Sequence, residues 1–558
     1  MFENAEGFTE LFKGYLPYYL LIALPIFIII SPTPVVSSHE FNAYRMQQYD
    51  LHGNTYGCRS SAINLEARSL EGWRTARHCV VVALQDLTVE IFHNLQNKAG
   101  ALLIVLPRNL NNLTPEEKQV LMLLEGSMLT QDISIPVYFT SWSQEVESIL
   151  NDINIVGNID DKSKPALESI INSIAANGYQ IVVSGASHSQ KSDIKIVTLQ
   201  GKLNGHPGPD GKLQTIAIVA HYDSFAVAPE MSMGADSNAS GVSVLLELAR
   251  IFSHLYSNAN TVGRYNLIFI LTGGGKLNYM GSKKWLEDQL DSLDGSIIQD
   301  AAYIMCLDSI SSGNSLYMHV SKPPKENTPV NVFYKELKSA AEKYHSSNNQ
   351  VPIEGIHKKI NLADDILAWE HERYSIRRLP AFTLSTIKNY KDQRRATILD
   401  NLENASIDQL VLHTQIIADA LASHIYNISS SQIFNNSLKV EKDSLRSWMD
   451  YIGKQPRSSQ MLCDKNNALV SALKEGMLKY LKDVKGTTLT PDKRDPEFML
   501  YEGSKATVNV YRVKPAIFDL VLTIVIIIYL GLIYLFIQNF SILYNFVCKI
   551  TESKVKVN

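Results

Sequence analysis

The chain has 558 residues, of which 45% are hydrophobic and 19% charged, so it is globular rather than disordered and long enough for two or three folded units. Its net charge of −4 is small and no long basic run occurs, which argues against nucleic acid as a partner. The five cysteines are too few and too scattered to hold a fold together, although Cys58 and Cys79 could pair if their strands are neighbours.

The amino-terminal segment predicts entry into the secretory pathway. Residues 16–30, LPYYLLIALPIFIII, form an apolar block that is followed by the small residues SPTPVVSS. This pattern predicts a signal peptide over residues 1–38 with cleavage near Ser38. An uncleaved anchor is the alternative, because the region before the block is acidic rather than basic.

Residues 39–165 alternate short apolar runs with helical patterns. The runs HCVVVALQDL, AGALLIVLP and IPVYFTSW are typical of buried strands. Between them, EIFHNLQNKA and PEEKQVLMLLEGSML have the pattern of helices. These residues therefore predict a small α/β lobe.

Residues 166–430 predict a second α/β unit, which begins with the amphipathic stretch ALESIINSIAANGYQ. The buried strands TIAIVAHYD, YNLIFILTGGG and AAYIMCLDS alternate with helices such as VSVLLELARIFSHLY. This alternation predicts a doubly wound, largely parallel sheet with its site at the carboxyl ends of the strands. His221, Gly275 and Asp308 all fall at such ends.

The last part of the chain predicts a membrane anchor. Strand signals fade over residues 431–515, which we expect to be a helical region close to the membrane. Residues 520–537, LVLTIVIIIYLGLIYLFI, are uncharged and close to the ~20 residues that cross a bilayer, so we predict a transmembrane helix over 516–538. Together with a signal peptide, this helix predicts a type I protein with a lumenal body and a cytosolic tail at 539–558.

Two further features predict residence in the endoplasmic reticulum. Lys556 and Lys554 stand third and fifth from the carboxyl end, which resembles a dilysine retrieval signal. The alternative is a basic tail that meets anionic lipid. Acceptor sequons at Asn427, Asn435 and Asn404 predict glycosylation of a lumenal body, with Asn427 the best candidate because it follows the folded core.

Five motifs in order resemble the M28 aminopeptidase family of co-catalytic zinc exopeptidases over about residues 166–425. They are His221-Tyr-Asp223, Gly234-Ala-Asp236, a strand that ends near Gly275, Leu307-Asp308 and Trp369-Glu-His371. The resemblance implies that the zinc ligands would be His221, Asp236, Asp308 and His371. It also implies that Asp223 would orient the imidazole of His221.

The same resemblance shows what is missing. Gly275 and Lys276 stand where the family has two consecutive glutamates, and Ser237 replaces a further acidic residue. Glycine supplies no general base, and an ammonium ~4 Å from a divalent ion costs roughly 8 kcal/mol at an effective dielectric near 20. We therefore expect no catalytic residue, no metal or other cofactor and no enzymatic activity, with the old site residues vestigial.

Several longer stretches, HEFNAYRMQQYDL, MGADSNASGVSVLLELAR, INLADDILAWEHER, DKRDPEF and YRVKPAIFDL, resemble the nicalin family across essentially the whole chain. Members are non-catalytic glycoproteins of the endoplasmic reticulum membrane with one span, distantly related to nicastrin. The resemblance implies a scaffold subunit that binds Nodal modulator and a multi-pass membrane protein at the ribosome-bound translocon. It also implies support for the biogenesis of multi-spanning proteins and modulation of Nodal signalling.

Two other functions are open at the level of sequence. One is an exopeptidase that retains a single zinc on His221, Asp236 and Asp308. The other is a lumenal pocket that binds peptide termini without cleaving them, because Lys276 could accept a carboxylate.

Overall fold

The computed structural model describes residues 39–159, 178–184, 189–207, 213–291, 297–344, 350–428, 434, 438–464, 466–513, 516–542 and 545. The predicted signal peptide at 1–38, most of the predicted helix at 166–180, the sequon at Asn435 and the lysines Lys554 and Lys556 lie outside these residues.

The small lobe is built on seven strands that close into a barrel in the order β1-β19-β9-β4-β5-β6-β8. Their bounds are β1 His39–Arg45, β4 Asn64–Arg68, β5 His78–Ala83, β6 Ala101–Val105, β8 Val137–Thr140, β9 Gly178–Ser184 and β19 Lys505–Val513. The strands β5, β6 and β8 are parallel and are the three that the apolar runs predicted. Their side chains are mostly buried, as expected for parallel strands that helices cover.

Three helices connect and cover these strands: α1 Val89–Leu95, α2 Pro115–Leu129 and α3 Gln144–Ile159. Helix α2 begins at a capping motif that is visible in its sequence. The side chain of Thr114 accepts a hydrogen bond from the backbone of Glu117, the backbone amide of Thr114 donates one to the glutamate side chain, and Pro115 occupies the first turn. This reciprocal capping satisfies amides that a helix start otherwise leaves without partners.

The larger unit is an eight-stranded sheet in the order β15-β14-β16-β13-β11-β12-β10-β17. Its strands are β10 Ile196–Leu203, β11 Gln214–His221, β12 Tyr265–Thr272, β13 Ala301–Leu307, β14 Leu316–Val320, β15 Ile353–His357, β16 Ala381–Ser385 and β17 Lys482–Leu489. The four central strands β12, β11, β13 and β16 are parallel, whereas β10, β17 and β14 pair antiparallel. The predicted α/β fold with a largely parallel sheet is confirmed at its centre.

Helices pack on both sides of this sheet and bury the main hydrophobic core. They are α4 Gly241–Ser257, α5 Met280–Leu290, α6 Pro329–Lys343, α7 His371–Ile376 and α8 Ile407–Tyr426. Helix α4 is buried along almost its whole length, which agrees with its nearly continuous apolar sequence. The sheet is thereby held as a rigid frame beneath the loops at its carboxyl edge.

The prediction that residues 431–515 are helical is wrong for their second half. Three helices, α9 Lys442–Gly453, α10 Ser459–Leu462 and α11 Ala468–Tyr480, are followed by strands β17, β18 (Phe498–Leu500) and β19. Strand β19 pairs with β1 and β9 in the barrel. It therefore completes the small lobe, which does not end at residue 165 as predicted.

Strand β18 belongs to a third, four-stranded sheet in the order β18-β2-β3-β7. The other members are β2 Gln48–Leu51, β3 Asn54–Cys58 and β7 Asp132–Ile133. Cys58 lies on β3 and Cys79 on β5, and both are buried free thiols. The Cys58 thiol contacts the carbonyl oxygens of Ser60 and Ile135.

The last helix described is α12, Ala516–Gln538. Its segment Leu520–Gln538 has a mean hydropathy of 3.0 and is not buried against the rest of the described chain. The helix is long and apolar enough to cross a membrane, and its bounds agree with the predicted span at 516–538.

Candidate functional site

The predicted site residues gather at the carboxyl edge of the central parallel strands. His221 ends β11, Gly275 and Lys276 follow β12, and Asp308 directly follows β13. Strands β11 and β12 are in register with His221 opposite Thr272, so the two ends meet at one edge of the sheet. This is where ligands bind in open α/β folds.

Asp236, the expected bridging ligand, is occupied by hydroxyl and amide donors. One of its carboxylate oxygens, Oδ1, accepts hydrogen bonds of 2.8 Å from both the backbone and the side chain of Ser311. The other oxygen, Oδ2, accepts one from the hydroxyl of Ser312. The carboxylate thus holds the loop after β13 in place and has no oxygen free of hydrogen bonds.

Asp308, the expected second carboxylate ligand, forms an ion pair with Arg395. The guanidinium donates from Nη2 to Asp308 Oδ2 over 2.6 Å and to the Tyr279 hydroxyl over 2.9 Å. It also stacks over the ring of Trp369, with 4.2 Å from its central carbon to the ring centroid. A side-chain cation therefore binds the carboxylate oxygen that a metal ion would need.

The pKa values of Asp308 and Arg395 are shifted in the directions expected for a buried ion pair. Burial raises the pKa of the Asp308 carboxyl, but Arg395, His221 and Lys276 together hold it well below its usual range. Burial lowers the pKa of Arg395, but Tyr279 and Asp308 outweigh it and raise the pKa above its already high ordinary value. In the folded protein Asp308 is therefore a carboxylate and Arg395 a cation at neutral pH.

Lys276 adds a second cation, and it points into the site. Its ammonium donates to the Ser237 hydroxyl over 2.6 Å and to the carbonyl oxygen of Arg395 over 3.0 Å. Burial lowers its pKa to about 8, an effect that Arg395 strengthens and nearby carboxylates such as Asp308 oppose. At neutral pH the lysine is still mostly charged.

Asp223 has a different role from the predicted one. Its carboxylate accepts from the backbone amides of Gly275 (2.8 Å) and Lys276 (3.1 Å) and from the Ser459 hydroxyl (2.7 Å). It fixes the loop after β12, so the prediction that it orients the imidazole of His221 is not supported by any hydrogen bond between the two residues among the described contacts.

The carboxylate that faces His221 belongs to Glu370, with 3.5 Å between Oε2 and the imidazole Nδ1. The other oxygen of Glu370 accepts from the hydroxyls of Thr272 and Ser282, at 2.8 and 2.6 Å. The next residue, His371, is also buried but bonds through Nδ1 to the Thr383 hydroxyl at 2.9 Å. Glu370 therefore ties β11, β12 and α5 together beneath the old site.

The space around Gly275 is too small for a glutamate side chain while His221 keeps its position. A Cβ atom added to Gly275 would lie 2.4 Å from Cβ and 2.5 Å from Cγ of His221. Such distances are far inside van der Waals contact, so any side chain at 275 requires His221 to move. Substituting glutamate there cannot by itself rebuild the family's site.

A co-catalytic zinc pair does not fit these residues. Within the described parts of the chain, no group of three or more His, Cys, Asp or Glu side chains is arranged to hold a metal ion. The imidazole Nε2 atoms of His221 and His371 are buried without a protein hydrogen-bond partner, but the carboxylates they would need are engaged elsewhere. Burial, with His319 and Lys358, lowers the pKa of His371 to about 3, so this ring is neutral.

Three residues of this network, Glu370, Arg395 and Asp400, were given no role by the sequence analysis. Arg395 and Asp400 come from the loop between β16 and α8, and Asp400 accepts from the backbone amides of Asp236 (2.7 Å) and Ser237 (2.8 Å). Burial and the charge of Asp236 raise the pKa of Asp400 to about 7. The charged cluster KDQRR at 391–395, in the loop that follows the apolar strand β16, could have drawn notice to Arg395.

The predicted glycosylation sites differ in their surroundings. Asn427 is exposed at the carboxyl end of α8, in a left-handed conformation with φ 52°. The side-chain amide of Asn404 instead donates to the carbonyl oxygen of Leu399 over 2.8 Å and to Asn111 over 3.3 Å. Glycosylation at Asn427 stays a prediction, and its side chain has no hydrogen bond among the described contacts that a glycan would break.

The fold and this site define an M28 peptidase-like protein in which side-chain cations stand among the old ligand positions. The chain matches the model of peptidase family M28 over residues 200–421. The structure is similar to nicastrin, the gamma-secretase component, with a TM-score of 0.57, 12% sequence identity and coverage of 84% of this chain and 99% of that one. At that identity the likeness concerns the fold alone.

The comparison over the whole chain is more specific. The sequence is 44% identical over 580 residues to "BOS complex subunit ncln" of Danio rerio, with 100% of both chains covered. It is 29% identical over 546 residues to "Nicalin" of Caenorhabditis elegans, with 93% of both covered. The chain belongs to the nicalin family, as its sequence motifs predicted.

Proposed function

We propose that this chain is a non-catalytic subunit of a membrane protein complex in the endoplasmic reticulum, a type I protein with a lumenal body. The observation that carries the proposal is the ion pair between Arg395 and Asp308 with the ammonium of Lys276 beside it. A site whose carboxylates are held by an arginine and by hydroxyl and amide donors keeps its shape without metal and has lost the means to activate water.

The partners that we propose are Nodal modulator and a multi-pass membrane protein at the multi-pass translocon, where the complex supports multi-spanning proteins and modulates Nodal signalling. The name of the Danio rerio relative describes that protein as a complex subunit. Helix α12 also offers an apolar surface, and outside the helix backbone and the neighbours of Gly531 no atom of the described residues lies within 4 Å of a Cβ built there. Small residues let two membrane helices approach closely.

The two alternative functions have less support. A single-zinc exopeptidase would require His221, Asp236 and Asp308 to turn toward one ion, but both carboxylates already have short hydrogen bonds. A pocket for peptide termini would need a free cation, yet Lys276 donates to Ser237 and to a backbone carbonyl.

The test compares what copurifies with three forms of the full chain in mild detergent. One form is unchanged, one carries an unrelated apolar helix of equal length in place of Leu520–Gln538, and one carries His371→Ala in the old site. We expect the exchanged span to lose the multi-pass partner and the His371→Ala form to keep it. If a folded His371→Ala form loses that partner while the exchanged span keeps it, the old site is the binding site and the proposal is wrong.

A further inference from the structure

The small lobe contains a cleft of its own, away from the vestigial site. It has a volume of about 710 Å³ and lies where the parallel strands β5, β6 and β8 end, between the loop before α2 and the start of α3. Carboxyl ends of parallel strands are preferred ligand positions, and this volume is typical of pockets that enclose small ligands or peptide side chains.

The floor of the cleft is aliphatic and its rim is polar. Buried side chains of Leu84, Val105 and Leu113 form the floor. Around the rim stand the exposed primary amides of Gln85, Asn109 and Asn112. Gln85 already donates to Glu117 over 3.3 Å, and Asn109 already accepts from the Asn111 amide over 2.9 Å. Each primary amide nevertheless keeps at least one further donor for a peptide carbonyl.

One cation, Arg108, and one carboxylate, Glu147, line this cleft. The guanidinium of Arg108 lies over the ring of Trp142, 5.1 Å from its centroid, and both residues line the cleft. Among the described residues no carboxylate forms an ion pair with Arg108, whereas the guanidinium of Arg394 is paired with Asp392 at 2.7 Å. The contact with the indole favours a position of the guanidinium at the cleft, and a guanidinium can bind a carboxylate at two points.

We propose that this cleft binds an extended peptide segment in which an aliphatic residue is followed by an acidic one. The aliphatic side chain enters the floor, the rim amides pair with the peptide backbone, and the carboxylate binds Arg108. An oligosaccharide fits less well, because the floor offers aliphatic carbon rather than hydroxyl partners and the ring of Trp142 is covered by Arg108.

The test uses the purified full chain in detergent on an array of blocked octapeptides in which Leu is followed by Asp, Asn or Lys in varied contexts. We expect retention of Leu-Asp peptides over their Leu-Asn and Leu-Lys counterparts. Arg108→Glu should reduce that binding roughly tenfold or more, the effect of losing one charged hydrogen-bond pair. Arg77→Glu is the matched control, because Arg77 is exposed just before β5, at the opposite end of that strand.

Three outcomes would overturn the proposal: no peptide retained above background, equal retention of Leu-Asp and Leu-Lys peptides, or equal loss in the two arginine variants. Binding of a high-mannose oligosaccharide that Arg108→Glu abolishes, without peptide binding, would assign the cleft to sugars instead. Both variants change exposed side chains, so we expect both to fold normally. Melting temperatures equal to that of the unchanged chain would confirm this.

Discussion

Replacing Arg395 with methionine removes the counter-charge of a buried carboxylate, and we expect it to destabilise the chain by about 3–5 kcal/mol. Asp308 is 2% exposed and loses a hydrogen bond of 2.6 Å, while Tyr279 loses one of 2.9 Å. Lys276 remains nearby, so we expect the lower end of that range. The melting temperature of the full chain in detergent should fall by roughly 3–5 °C at pH 7.

Arg394→Met is the matched control, since the side chain next in sequence is half exposed and pairs with Asp392 at the surface. Exposed pairs contribute about 0–1 kcal/mol, so this variant should melt within a degree or two of the unchanged chain. Equal melting temperatures for the Arg394 and Arg395 variants would refute the reasoning.

The pH dependence gives a second check on the same pair. Because the folded pKa of Asp308 is depressed, its contribution is present above the ordinary value near 4 and is lost as pH falls further. In Arg395→Met, burial is no longer opposed by the guanidinium, so the pKa of Asp308 rises and protonation relieves the unpaired charge. The gap in melting temperature should therefore narrow from pH 7 toward pH 4.5. Glu125 and Asp400, whose pKa values burial raises to about 7, titrate in both proteins and cancel in the difference.

The remaining predictions concern the loop after β12, the glycan and the tail. Gly275→Ala should cost about 1–3 kcal/mol by overpacking, whereas Gly486→Ala, with its nearest contact at 3.6 Å, should cost less in the same melting assay; equal losses would contradict this. Asn427→Gln should remove one glycan that is sensitive to endoglycosidase H, and unchanged gel mobility or a resistant sugar would count against it. Serine at Lys554 and Lys556 should let part of the protein acquire resistant sugars, and full sensitivity would show that the tail is not what retains it.

The parts of the site that follow from local pattern were predictable. An apolar strand that ends in a polar residue places that residue at the sheet edge, so the sequence alone locates His221 and Asp308 there. The resemblance to the M28 family, rather than local pattern, identified the missing acidic pair at Gly275 and Lys276. The side chain that takes the place of the metal ion could not be predicted. Arg395 and Asp308 are 87 residues apart, and a loop sequence does not indicate which carboxylate its arginine will contact.

The carboxyl-terminal strands show that prediction of the fold from sequence was limited in the same way. In β19 the side chains of Ala506, Val508 and Val510 alternate inward with a period of two, a strand signal that the expectation of helices near the membrane obscured. Strand β17 reads KDVKGTTL and is largely exposed, so it lacks an apolar pattern altogether. The position of β17 at the edge of the sheet depends on backbone pairing with β10, which cannot be predicted from the sequence of β17.

The central claim is that the chain's own cations have replaced the metal ions of a peptidase site, and the metal content of the protein tests it most directly. The full chain, expressed with added zinc and purified in mild detergent without chelator, should contain well under one zinc per chain and release no amino acid from chromogenic aminoacyl substrates. One or more zinc ions per chain, lost together with substrate turnover in His221→Ala, would contradict the account.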